Sequence, residues 1–430
     1  MVSTQILERE RRLSGLPSGV SRRWWQRMLR SPLFWLTVVL VPLFVVGLWD
    51  QYAMMTHSET FEDGTEMMGL TNESIRKAAW FAAWTALAYT LLFVWLDRFR
   101  GQNVLVWLLT FGWGAAISTW VSIYVNTWAG RMMSTTDANS DMGSRAAVFS
   151  APFVEEAAKA TILFLLLILV RTQVVSRLSI VALSGLSAVG FAFVENIIYY
   201  ARVWMYSTHT IEVGDPVEAM MEIVLLRGVY TSFAHPLFTM LTATGMSVAM
   251  SSRSKIVRVV APLAGFLASV AGHMLFNGAS STRDVGSLMI PWIMALVLVL
   301  ITVISLVISV AQQAKLIRVR LEDYHRAGWL SQRDTEVFSK PFTRMRLLLV
   351  AAFRGPRMWW RTATLMRRVT QLAYLRNHQV RGTVAAAGDL YGRELLHQID
   401  ELRTRAIADP RGLPIIPRRP KKADRREARR

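Results

Sequence analysis

The stretch APFVEEAAKATILFLLLILV, Ala151 to Val170, places three charged residues inside an apolar run long enough to cross a membrane. A spanning helix needs roughly 20 predominantly apolar residues. A lone charge in hydrocarbon costs several kcal/mol even on lenient scales, so charges there mark a polar cavity with a function. Outward from it lie seven more such runs: Leu33 to Trp49, Ala78 to Leu96, Val104 to Trp128, Ser179 to Ala201, Gly228 to Met250, Ile256 to Asn277 and Leu288 to Ala311. With the opening run taken as Ala146 to Val170, the chain reads as an all-α polytopic membrane protein of about eight transmembrane helices. Its 53% hydrophobic content and sixteen Trp agree with that class.

The net charge of +19 is unevenly placed. Arg9, Arg11, Arg12, Arg22, Arg23, Arg27 and Arg30 precede the first span. Arg98 and Arg100, then Arg171 and Arg177, then Arg253, Lys255 and Arg258 fill alternate connections. Short loops rich in Lys and Arg stay cytoplasmic. The intervening loops carry Glu59, Glu62, Asp63, Glu66 and Glu73, or Glu212, Asp215, Glu218 and Glu222, and face outward. Eight spans then leave both termini of a multi-pass membrane protein in the cytoplasm. The polar first thirty or so residues lack a short apolar core with a cleavage site, so the first span is expected to be retained. With no Cys, disulfides, thiolate metal sites and a cysteine nucleophile are excluded.

This divides the chain into a basic cytoplasmic segment (1–32), a transmembrane core (33–311), a basic helical cytoplasmic region (312–409) and a disordered basic tail (410–430). The part beyond Gln312 holds more than half of all Lys and Arg. Within it, Leu347 to Leu375, with Trp359, Trp360, Arg361, Arg367 and Arg368, reads as a basic amphipathic helix suited to anionic lipids at the cytoplasmic face. Packing on other helices with a solvated basic face is the competing reading. No nucleic-acid recognition motif accompanies the charge, so no nucleic acid partner is expected.

Six ionisable residues fall on four consecutive spans: Glu155, Glu156, Lys159, Glu195, His235 and His273. At 1.5 Å rise per residue the acidic pair lies about 15 Å below the outer end of its span, and the other three also fall in the outer half. Residues four apart share a helix face, which pairs Glu155 with Lys159 and His273 with Asn277. Four helices have no reason to place polar groups at one depth unless they face a common, water-accessible cavity. A glutamate there takes a proton from water, and imidazole and amide groups donate to an oxyanion. The same His and carboxylate groups also suit a catalytic zinc. Sequence leaves a metal-free carboxylate mechanism and a metal-dependent one both open. No H-E-x-x-H occurs, and no span holds an Asp pair.

At these residues the chain resembles the PrsW family of intramembrane proteases, itself similar to the type II CAAX prenyl endopeptidases. The matching stretches are PFVEEAAK at Pro152 to Lys159, GFAFVEN at Gly190 to Asn196, AHPLFT at Ala234 to Thr239 and HMLFN at His273 to Asn277. The resemblance implies an endopeptidase of the glutamic type that cuts membrane-anchored proteins, including anti-sigma factors, near the outer face. The expected roles are water activation by Glu155 and Glu156 with Lys159 tuning them, positioning by Glu195 and His235, and oxyanion stabilisation by His273 and Asn277. No cofactor is required in this reading. If zinc is used instead, Glu156, Glu195, His235 and His273 are the expected ligands. The rivals are a proton-coupled transporter, which needs a polar path to both faces, and a non-catalytic scaffold or receptor on the same fold.

Overall fold

The computed structural model describes residues 4–13, 16, 23–60, 66–97, 104–134, 146–169, 176–209, 215–280, 285–382, 384 and 386–408. The expected disordered tail, and the loop residues Arg98, Arg100, Arg171, Glu62, Asp63 and Glu212, lie outside them. The described residues form helices: α1 Thr4–Leu13, α2 Trp24–Leu29, α3 Pro32–Thr56, α4 Asn72–Leu96, α5 Val104–Gly112, α6 Thr119–Ser134, α7 Ala151–Leu169, α8 Arg177–His209, α9 Pro216–Leu225, α10 Ala234–Ser251, α11 Lys255–Ser280 and α12 Val285–Arg326. Four more follow: α13 Gln332–Ser339, α14 Pro341–Phe353, α15 Pro356–Val380 and α16 Ala386–Arg403. Wider π-helical turns at Trp113–Ser118, Ala146–Ser150 and Leu226–Tyr230 join or precede helices of the core. One antiparallel ladder of two residues a side, Glu59–Thr60 with Glu66–Met67, is the sole β pairing among the described residues. The protein is an all-α polytopic membrane protein.

The chain forms two units, Arg23–Arg98 with Gln102–Leu306, and Met1–Arg22 with Phe99–Gly101 and Val307–Arg430. Among the described residues, six helices are long and apolar enough to cross a membrane. All eight expected runs are helical, so the difference from eight has a local cause. The two that fall short are α7 and α10, of 19 and 18 residues. Helix α7 carries three charges, and α10 carries His235, Pro236 and three Thr. Their polar groups are placed in protein instead of lipid: Glu156, Lys159, Thr239 and Thr242 are buried. The opposite holds for α3 and α12, where Val38, Val39, Val45, Leu300, Ile301 and Ile304 are exposed. Such continuous apolar surface fits lipid.

Helix α8 is the axis of the first unit, with 78% of its most apolar window buried against 6–44% for the other five spans. Its small residues Ser184, Ser187, Ala188 and Gly190 let neighbours approach closely. A Cβ at Gly190 would fall on the carbonyl oxygen of Phe111. At the α10–α11 crossing, a Cβ at Gly265 would lie 2.6 Å from Leu241 O.

The second unit has its own core, including Leu321, Phe338, Leu347, Leu365, Val369, Leu372 and Leu395. Helix α1 belongs to it, with Arg11 on Glu394 at 2.6 Å and Glu10 accepting from Ala387 N at 3.1 Å. The stretch Leu347 to Leu375 is not one helix. Gly355 has φ 102°, a left-handed conformation that costs glycine little, and Pro356 starts α15 where no backbone donor is needed.

Candidate active site

Helices α7, α8, α10 and α11 bring all seven sequence-derived residues to one region. Helices α7 and α10 start there, so Glu155 and His235 lie near their first turns; α11 ends there, which places His273 two turns from its C-terminus. Glu155, Glu195, His235, His273 and Asn277 line one partly open cavity of about 610 Å³, together with Asn126, Asn196 and Arg227.

Glu156 and Lys159 lie behind that wall, fully buried. Lys159 Nζ donates to Glu155 Oε2 at 3.2 Å, Glu156 Oε1 at 3.0 Å and His235 Nδ1 at 3.0 Å, and lies 3.8 Å from the centre of the Phe191 ring. An ammonium has three N–H groups, so this set uses them all. Glu156 is equally saturated. Its Oε2 accepts from Thr239 Oγ1 at 2.8 Å and Ser269 Oγ at 2.9 Å, and its Oε1 faces Lys159 and His273 Nδ1, the latter at 3.1 Å. Glu155 differs: one oxygen takes Lys159, and the other meets only Asn126 Nδ2 at a long 3.3 Å. Glu155 is the carboxylate that faces the cavity.

The partners also assign the tautomers. A carboxylate only accepts, so His273 donates Nδ1–H to Glu156 and turns its Nε2 lone pair toward Glu155, 3.9 Å away. His235 accepts from Lys159 at Nδ1 and therefore donates Nε2–H to Glu195 at 2.7 Å. Each imidazole is thus backed by a carboxylate. In its neutral form His273 offers the cavity an acceptor, which removes it as a ground-state oxyanion donor. Asn277 Nδ2 donates to Ala147 O at 2.9 Å beside the cavity.

Arg227 is a residue the sequence reading missed. It donates to Glu195 Oε2 at 2.5 Å and to Asn196 Oδ1 at 2.9 Å, and lies 4.0 Å from the centre of the Tyr199 ring. The expected span began at Gly228, one residue too late to include it. Asn126, Thr239 and Ser269 were missed because neutral polar residues carry no charge signal in an apolar run.

One ligand atom each from Glu155, His235 and His273 lies within 4.8 Å of the others. Residues 102–308 match the model of the PrsW family intramembrane metalloproteases. The matched stretch, just under half of the chain, is similar to that family of intramembrane proteases. Comparison with curated proteins and with solved structures gives no match. The PrsW description names a metal, and the donor set fits one. A carboxylate with two imidazoles suits catalytic zinc, and ligating histidines ordinarily hold a carboxylate on their other nitrogen. Here Glu156 and Glu195 fill that supporting position. The geometric cluster has Glu155 beside the two histidines, whereas Glu156 accepts from Lys159, Thr239 and Ser269, and Glu195 from Arg227 and His235.

Proposed function

We propose that this PrsW-like protein is an endopeptidase that cleaves membrane-anchored proteins, with its reacting centre at Glu155, His235 and His273. The observation that carries this reading is the meeting of those three side chains at the wall of one cavity, each supported from behind. On the topology read from loop charges, the cavity lies in the outer half of the bilayer. A helical peptide bond is shielded, so the substrate enters as an extended or unwound stretch. Anti-sigma factors and other anchored signalling proteins are the substrate class that the family resemblance suggests.

Water bound against Glu155 gives it a proton as the oxygen attacks the scissile carbonyl, and the Glu155 proton then passes to the leaving amine. Lys159 keeps Glu155 oriented from below, and the Asn277 amide donates toward the charge that develops on the carbonyl oxygen. Glu195, fixed by Arg227, holds the His235 ring. A divalent ion such as zinc, held by Glu155, His235 and His273, would supply Lewis-acid polarisation and a more acidic water. Lys159 Nζ lies 3.0 Å from His235 Nδ1, so the ammonium and such an ion compete for that nitrogen.

The test is cleavage of co-reconstituted single-span substrates by wild type, Glu155→Gln and Glu156→Gln, with and without a strong chelator. Loss of cleavage in Glu155→Gln without chelator sensitivity assigns Glu155 as a metal-free base. Loss on chelation with recovery on added zinc assigns it as a ligand. Wild-type cleavage rates in Glu155→Gln would remove Glu155 from the chemistry.

A further inference from the structure

Helix α14 carries large apolar residues on two sides, yet only one side is covered. Arg344, Leu347 and Ala351 are buried in the core of its unit. On the other side Phe342, Met345, Leu349 and Phe353 recur at three- and four-residue spacing and are exposed, Phe353 at 91% and Phe342 at 72%. Exposed large side chains at this density ordinarily mark a binding surface. Arg346 stands exposed within the stripe, and Arg354, Arg357 and Arg361 are exposed where the chain turns into α15 beside Trp359 and Trp360.

The charge is of one sign. From Val337 to Gly388 the sequence has no Asp or Glu, while ten Lys and Arg fall in that stretch. A soluble protein partner is not required to be anionic over such a length, whereas a phosphate-rich surface is. The pattern of an apolar stripe, arginines at its edge and two adjacent Trp is that of a helix lying in a bilayer interface, with its rings among acyl chains and its guanidinium groups on phosphates. The chain also carries its own membrane anchor, which keeps a bilayer at high effective concentration.

We infer that the outer face of α14, Phe342, Met345, Leu349 and Phe353 with Arg346, Arg354 and Arg357, docks on an anionic lipid surface. This rests on the chain being a multi-pass membrane protein and not on the protease reading. The assay below measures no cleavage, so the two fail separately.

Because the chain has no Cys, Phe353→Cys introduces a single thiol. The full-length variant carries an environment-sensitive fluorophore there and is placed in nanodiscs of phosphatidylcholine alone or with phosphatidylglycerol. Asp400→Cys, on exposed α16 surface, is the control. The expected result is a blue shift, quenching by lipid-borne nitroxide and loss of iodide quenching at position 353 in phosphatidylglycerol discs only. High salt or the triple change Arg346→Glu, Arg354→Glu and Arg357→Glu reverses it, and the control stays open to iodide throughout. A label equally open to iodide in both lipids overturns the proposal. So does one already shielded in detergent, which means a protein surface covers it. Protection that ignores lipid charge and the triple change overturns the anionic preference.

Discussion

At the residue scale the two adjacent glutamates do different work, and substitution separates them. Glu156→Gln removes a buried charge whose partners Lys159, Thr239, Ser269 and His273 all stay behind. Breaking one side of a buried ion pair costs about 3–5 kcal/mol. Glu156→Gln is therefore expected to lower the unfolding temperature in detergent sharply, and Lys159→Met to do so at least as much. Glu155→Gln keeps most of its contacts and faces the cavity, so we expect near-native unfolding with cleavage reduced by at least ~10²-fold, the usual scale for a lost proton acceptor. If both glutamine variants unfold alike and cleave alike, the division is wrong. If zinc is bound, Glu156→Gln weakens it by about 10–100-fold through His273, which a competition titration with a chromogenic chelator reads. The charged residues were legible in the sequence because a charge in an apolar run is conspicuous. Which glutamate faces the cavity was not, since neighbours on a helix differ by about 100° and the partner helices decide which side is open. Arg227 was hidden by a span boundary set one residue late.

At the element scale, the eight apolar runs all became helices, because runs of that length and composition have few alternatives in lipid. The count by hydropathy drops to six because α7 and α10 surrender apolarity to the site. What the sequence could not give was the crossing geometry, since small residues permit close approach without naming the partner. Gly190 meets Phe111 and Gly265 meets Leu241. Gly190→Ala is expected to destabilise the protein by roughly 1–3 kcal/mol, the usual range for overpacking. Gly130→Ala, where nothing lies within 4 Å of the added Cβ, should be neutral or gain a few tenths. Thermal unfolding of the two variants side by side checks this; equal loss in both would mean that the close approach to Phe111 does not set the cost at Gly190. The break at Gly355 shows the other limit. The Gly-Pro pair was visible, but the apolar residues on both sides read as one amphipathic helix until the backbone turned.

At the scale of the whole molecule, the loop charges predict both termini in the cytoplasm. With no native Cys, single substitutions map this cleanly: a membrane-impermeant maleimide should label Ser58→Cys on intact cells, and label Ser252→Cys and Asp400→Cys only after lysis. Labelling of Ser252→Cys on intact cells would invert the topology and move the cavity to the cytoplasmic half. The saturation of Glu156 also bears on how the protein is made. Its partners Thr239, Ser269 and His273 lie 83, 113 and 117 residues downstream. At about 5–20 residues per second, the ribosome delivers them on the order of 4–25 s after α7 emerges. During that interval the nascent α7 has only Lys159, three and four residues away, to offset two carboxylates. The lysine that tunes the finished site is then also the group that lets α7 enter the bilayer before α10 and α11 exist. Biogenesis and chemistry would thus select the same side chain, and a Lys159 variant should be caught by quality-control proteolysis before any question of its activity arises.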